Sequence, residues 1–180
     1  MPSSVKTSGF RWSQVVRVLL CFLTLLLLAG CPYESLEPLS APAGAEFDGK
    51  LLGKWKFEDK ESKDIGFLTI SRFNDTELLI VIEEEGKKGP DTMRGFVTEV
   101  DGRKFLNVQE MKGKYQDRKW MFVSYETGEC SLTFRIVNDS LTPSGGEKAL
   151  SSREVFELIK KNLGNKKIYD EPTSLTCVGR

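Results

Sequence analysis

Cysteine carries most of the chemistry open to this chain. There are four cysteines and no histidine in 180 residues. Without histidine there is no Ser-His-Asp or Cys-His arrangement for acyl transfer, no His-ligated zinc and no His-ligated haem. Cys21 lies in an apolar N-terminal run, Cys31 directly follows Leu28-Ala29-Gly30, and Cys130 and Cys177 stand far apart in the remainder. That spacing suits neither a redox pair nor a metal knuckle. Among the acids, Glu83-Glu84-Glu85 runs into Gly86, the pattern of a solvated strand end, while Glu110, Asp117 and Glu126 could converge at one barrel mouth. No Gly-rich phosphate loop precedes a helix. The residue types therefore predict no enzyme, no cofactor and no metal, and leave Cys31 as the reactive position of interest.

Lys6, Arg11 and Arg17 precede an uncharged, apolar-rich run from Val18 to Ala29 that closes on small residues. A basic region, a short apolar core and small residues at a cleavage point make a secretory signal. Small residues ending directly in Cys resemble a bacterial lipobox. The resemblance implies cleavage before Cys31, a diacylglyceryl group on its sulfur and an acyl chain such as palmitate on its new amino group. A transmembrane helix needs about 20 apolar residues; the run here has 12 and lacks a basic stop-transfer flank. Each buried CH₂ contributes about 0.8 kcal/mol, so two or more chains anchor stably. Pro32, not being Asp, adds no inner-membrane retention signal. The expected location is the bacterial cell envelope, lipid-anchored at the outer membrane with the domain in the periplasm. The expected organisation is a signal peptide over 1–30, a lipidated Cys31 with a flexible tether over 31–46, and one domain over 47–180. The tether assignment rests on Pro32, Pro38 and Pro42 with interspersed Ser, Gly and Ala, too little apolar surface to order itself.

The precursor holds 26 basic and 26 acidic residues; without residues 1–30 it holds 23 and 26, a net charge of −3. That overall balance gives no footprint for nucleic acid or for an anionic lipid surface. Trp120, Phe122 and Tyr125 accordingly read as core or barrel wall. The 150 residues from Cys31 suit a single domain with a real core. Cys130 and Cys177 either pair in the oxidising envelope or stay as buried thiols. A bridge would close a loop of about 48 residues and contribute roughly 4 kcal/mol.

The elements that must position these residues are mostly strands. Leu51 to Phe57 alternates, with Trp55 and Phe57 on one face and Lys54 and Lys56 on the other, the period of a half-buried strand. Similar runs are Gly66 to Phe73, Glu77 to Glu83, Met93 to Val100, Lys104 to Gln109, Trp120 to Tyr125, Ser131 to Val137 and Ser174 to Val178. Turn residues separate them, Asp101-Gly102 being the sharpest hairpin signal and Gly145-Gly146 another break. Short strands at this spacing argue an antiparallel barrel or sandwich. One helix interrupts them: Ser151 and Glu154 form a capping box, Val155, Phe156, Leu158, Ile159 and Leu163 an apolar stripe, and Gly164 a stop. The strand Glu77 to Ile82 is apolar on both faces, so its outer face is the expected seat of that helix.

Gly53-Lys54-Trp55 resembles the Gly-X-Trp signature of the lipocalin and wider calycin barrels. Residues 48–180 as a whole resemble lipocalin-like bacterial lipoproteins of unassigned function, which share the order of meander, late helix and final strand. The resemblance implies a mainly β fold, an up-and-down lipocalin-like β-barrel of about eight strands with one late α-helix. It implies a barrel floor of Gly53 and Trp55 with a basic side chain across the Trp, Arg180 by chain order and Arg135 as fallback. The second and third lipocalin motifs have no clear match, so no ligand carries over.

In such a barrel the alternation aims Phe57, Leu68, Ile70, Leu106, Val108, Met121, Val123 and Phe134 inward as a ligand wall. An eight-stranded barrel is just wide enough to be filled by side chains or to hold one small ligand. Three function classes follow, in this order: a lipoprotein binding a small hydrophobic or lipid-like ligand, a filled barrel acting through its outer surface, and an enzyme. The partners expected are the membrane, through Cys31, and a small apolar ligand; no protein partner is named. A hollow interior decides for the first class.

Overall fold

In a computed structural model of the chain, the described residues are 31–58, 64–142 and 150–179. Residues 1–30, expected as the signal peptide, Gly145-Gly146 and Arg180 lie outside them. Eight strands form a closed antiparallel barrel in sequence order: β1 (Gly53–Glu58), β2 (Ile65–Arg72), β3 (Leu78–Glu84), β4 (Asp91–Val100), β5 (Arg103–Glu110), β6 (Trp120–Thr127), β7 (Ser131–Ile136) and β8 (Thr173–Gly179). The expected eight-stranded up-and-down barrel with one helix is the fold observed. The seam is β1 against β8, with Trp55 opposite Cys177 and a register shift between Lys54 and Trp55.

Local chemistry sets the turns and ends. At the β4–β5 hairpin, Val100 pairs with Arg103, and both intervening residues have positive φ, Asp101 at 47° and Gly102 at 78°. That is the primed geometry whose twist matches the flanking strands. Gly53 has a φ of 134°, a conformation that L side chains rarely adopt, so the glycine of Gly-X-Trp is required by the backbone. The up-and-down order gives the barrel two ends. One holds Trp55 and the turns at 73–77, 101–102 and 128–130; the other, here the mouth, holds the connections at 85–90 and 111–119, the end of β7 and the start of β8.

Two apolar clusters follow from the alternation. The inner one gathers Trp55, Leu68, Ile70, Leu78, Ile80, Val97, Leu106, Leu132 and Leu175 among others. The outer one lies on the opposite faces of β4, β5 and β6, where Phe96, Phe105, Trp120 and Phe122 are almost fully buried. These aromatics face outward and need cover. Helix α1 (Ser152–Asn162) supplies part of it through the buried Val155 and Ile159. Its capping box is present: the Ser151 N–H donates to the Glu154 carboxylate at 2.9 Å and the Glu154 N–H to Ser151 Oγ at 3.4 Å. Arg103 donates to the Leu163 carbonyl at 2.8 Å and Lys160 meets Asp101 at 3.1 Å, so the helix C-terminus is fixed near the end opposite the mouth.

Two expectations are corrected here. The helix does not sit on β3: its contacts are with β4 and the outer aromatic cluster, whose large rings bury more surface than Leu79 and Val81 of β3 would. The tether is not free. Residues 31–48 run as a strap along the outside of the barrel. Ser35 and Trp120 exchange backbone hydrogen bonds of 2.9 and 2.7 Å, Leu39 is 3% exposed, and Tyr33 packs against Phe122. Strap and helix together complete the cover over the outer aromatics. A composition count missed this because Tyr33 and Leu39 are isolated apolar residues.

Candidate functional site

The inward side chains enclose a cavity of about 360 Å³. Phe57 of β1 and Leu68 and Ile70 of β2 line it, followed by Leu106 and Val108 of β5, Met121 and Val123 of β6, and Phe134 of β7. Every residue of the expected wall therefore faces one space. The sequence reading left out Ile80 and Ile82 of β3, Met93 of β4 and Leu175 of β8. β3 is apolar on both faces, so its alternation is silent. Met93 had a signal in its even spacing from Gly95 and Val97, which share its face.

Small residues shape the wall. Gly66 lies opposite Phe57, and a Cβ there would come 2.1 Å from the ring tip. The ring thus lies flat over Gly66, and the glycine keeps it against the wall. Gly95 has the Asn107 carbonyl 2.7 Å from where its Cβ would be, so the wall at β4 stays thin.

Polar atoms line the cavity only toward the mouth, from Glu84, Asp170, Glu171 and Thr173. Asp170 accepts a hydrogen bond from Asn138 Nδ2 at 3.0 Å, and its own N–H donates to the Ile136 carbonyl at 2.9 Å. Glu84 pairs with Lys87 at 3.6 Å. Among the described residues that line the cavity, none is basic. Such a chamber takes up an apolar body and meets its polar end with acceptors.

The opposite end is closed by Trp55, which is fully buried and donates Nε1–H to the Leu51 carbonyl at 2.9 Å. Leu51, Leu52 and Phe47 pack with it, and the Arg72 guanidinium lies 4.0 Å from the Phe47 ring. Arg135 is exposed on the outer face of β7, so the fallback floor residue is corrected: it points away from the interior where Trp55 lies. Arg180 lies outside the described residues.

Beside the floor, Asp48 accepts from Lys104 Nζ at 2.7 Å, from the Tyr125 hydroxyl at 3.0 Å and from the Lys50 N–H at 3.1 Å. Burial pushes its carboxyl pKa up, but Lys104, the Lys50 amide and Tyr125 together hold it below the usual carboxylate range. Burial, and then the Asp48 charge, push the Tyr125 phenol well above its ordinary value. The group ties strap, β5 and β6 together.

Compared with family models, with curated proteins and with solved structures, the chain matches none. The remaining sequence-predicted positions are placed as follows. Cys130 and Cys177 are joined by a disulfide, Cα–Cα 5.1 Å, beside Trp55 at the seam. Cys31 is an exposed free thiol. Glu110 and Asp117 flank one surface depression near the mouth, but Glu126 sits at the far end of β6, opposite Thr133. The three acids do not meet, because Glu126 and the pair stand at opposite ends of an up-running strand.

Proposed function

We propose that this is a membrane-anchored cell-envelope lipoprotein, related to the lipocalin-like lipoproteins, whose barrel binds a small hydrophobic or lipid-like molecule. The observation that carries the reading is the cavity of about 360 Å³, apolar on every strand and polar only at its mouth. Its size falls within the range of small-molecule sites, about 300–1,000 Å³, and its lining has their character, mostly apolar with few polar groups. A barrel acting only through its outer surface has no use for such a chamber. The anchor rests on the lipobox-like Leu28-Ala29-Gly30-Cys31 and on the exposure of Cys31. The diacylglyceryl and N-acyl groups implied there would put three acyl chains on that residue, and two or more supply stable attachment. The acidic rim favours an occupant with an uncharged or cationic polar end over a free fatty acid, because like charges on Glu84, Asp170 and Glu171 oppose a carboxylate.

The test is uptake of a fluorescent hydrophobe by soluble protein beginning at Pro32, so that the strap is kept. Val123→Trp should abolish uptake with little change in denaturation midpoint, since the added rings enter the chamber. If the parent protein takes up no hydrophobe and Val123→Trp destabilises by about 1–3 kcal/mol, as overpacking does, the binding reading is wrong.

A further inference from the structure

The strap decides where a lipid on Cys31 leaves the protein. Its contacts descend the barrel in order. The Asp139 N–H donates to the Cys31 carbonyl at 2.9 Å and Ser35 bridges Trp120, both next to the mouth. Leu39 follows at Asn107 in mid-strand, then Ser40 at Thr98 Oγ1, 2.6 Å, and Asp48 at Lys104, close to the Asp101-Gly102 turn. Cys31 is therefore at the cavity end of the barrel. Asn138, the neighbour of Asp139, donates to Asp170, which lines the cavity.

We infer that the strap holds the mouth against the membrane, so that the cavity opens onto the bilayer. This rests on the acylation of Cys31 under the reading above. A free tether of residues 31–46 would span about 20 Å as a random coil and leave the barrel to tumble. A strap pinned along its length removes that freedom. The mouth surface suits the contact. The connection Met111–Lys119 presents Tyr115 at its tip, 68% exposed, while its Lys112 pairs with Asp91, Lys119 with Glu34 at 2.7 Å, and Arg118 donates to the Met111 carbonyl at 2.6 Å. Amphipathic rings sit at head-group level in membrane interfaces.

The experiment uses the mature acylated protein, cleaved before Cys31 and so without Cys21, in phosphatidylcholine and phosphatidylglycerol vesicles carrying a head-group quencher. One fluorophore is placed through Lys114→Cys at the mouth, another through Asp75→Cys in the turn at the opposite end. Acylated Cys31 and the Cys130–Cys177 bridge leave only the introduced thiol to label. The label at 114 should lose most of its emission and the label at 75 should keep it. A flexible insert of about 20 Gly and Ser residues between Pro32 and Tyr33, roughly 25 Å in reach, should leave the protein on the vesicles but erase the difference. Equal quenching at both sites in the parent overturns the orientation, and a difference that survives the insert overturns the strap as its cause, while in both cases the anchor stands. Protein that does not sediment with vesicles overturns the anchor and the orientation together.

Discussion

The side-chain oxygen of Asn107 accepts the backbone N–H of Leu39 at 2.8 Å, across 68 residues of chain, with Asn107 completely buried. Its amide nitrogen donates to Thr98 Oγ1 at 2.8 Å and to the Phe96 carbonyl at 3.2 Å. One side chain thus spans the strap, β4 and β5.

Asn107→Ala removes all three bonds and orphans a buried N–H. The expected cost is about 1–3 kcal/mol, read as a lower midpoint in denaturant melts. Limited proteolysis should then cut within 33–46 before it cuts the barrel; cleavage at the parent rate would mean that Asn107 does not secure the strap.

Trp55→Ala should cost about 3–5 kcal/mol, as deletions of buried aromatics do. Trp55→Phe keeps one aromatic ring but drops the bond to Leu51 and part of the indole volume, and should cost less than Trp55→Ala, about 1–3 kcal/mol. Equal losses in the two variants would place the value of Trp55 in its hydrogen bond and not in closing the floor.

Gly66→Ala drives a Cβ into the space of the Phe57 ring tip, and that ring lines the chamber. Uptake of the hydrophobe should weaken as the ring turns inward. Phe57→Leu in the same chain should restore it. Unchanged uptake by the single variant would show that the ring has somewhere else to go.

Acid should loosen the floor end. The folded pKa of Asp48 is lowered, so its stabilisation is fully present above the unfolded carboxylate value of about 3.9. It is lost as pH falls through the folded value. Between pH 5 and pH 2 the parent should therefore lose more stability than Asp48→Asn does. Parallel profiles would show that the Lys104 and Tyr125 contacts carry no net linkage.

Reduction of Cys130–Cys177 releases a loop of 47 residues' separation and should lower stability by roughly 4 kcal/mol on the chain-entropy model. Cys130→Ser with Cys177→Ser should match reduced parent in denaturant melts. A variant as stable as the oxidised parent would rule out a bracing role for the bridge.

How much of this was legible before the structure depended on whether a residue's neighbours in sequence reported its neighbours in space. The strands were legible because Lys54 and Lys56 alternate with Trp55 and Phe57, and the helix because Ser151 and Glu154 sit three apart before an apolar stripe. The wall followed from the same alternation. The strap did not: Leu39 is bound by Asn107, and no pattern near either residue reports the other. The seat of the helix was misread for a related reason. Phe96, Phe105 and Phe122 are outward-facing aromatics on separate strands, and only barrel closure gathers them into one surface. The acidic rim was equally hidden, since Glu84 and Asp170 meet only across the mouth.

Closure of the barrel depends on its final strand. Through the first seven strands, two rows of backbone groups, one on β1 and one on β7, have no partner; β8 occupies both at once. The ribosome makes Thr173–Gly179 after all the other strands. Until it arrives, the nascent sheet has two open edges, the geometry that invites strand exchange between copies. A stop codon after Pro172 would therefore do more than remove a short segment. It should turn a closed barrel into a chain that pairs with its neighbours, seen as strand-swapped species or aggregates larger than the parent on gel filtration.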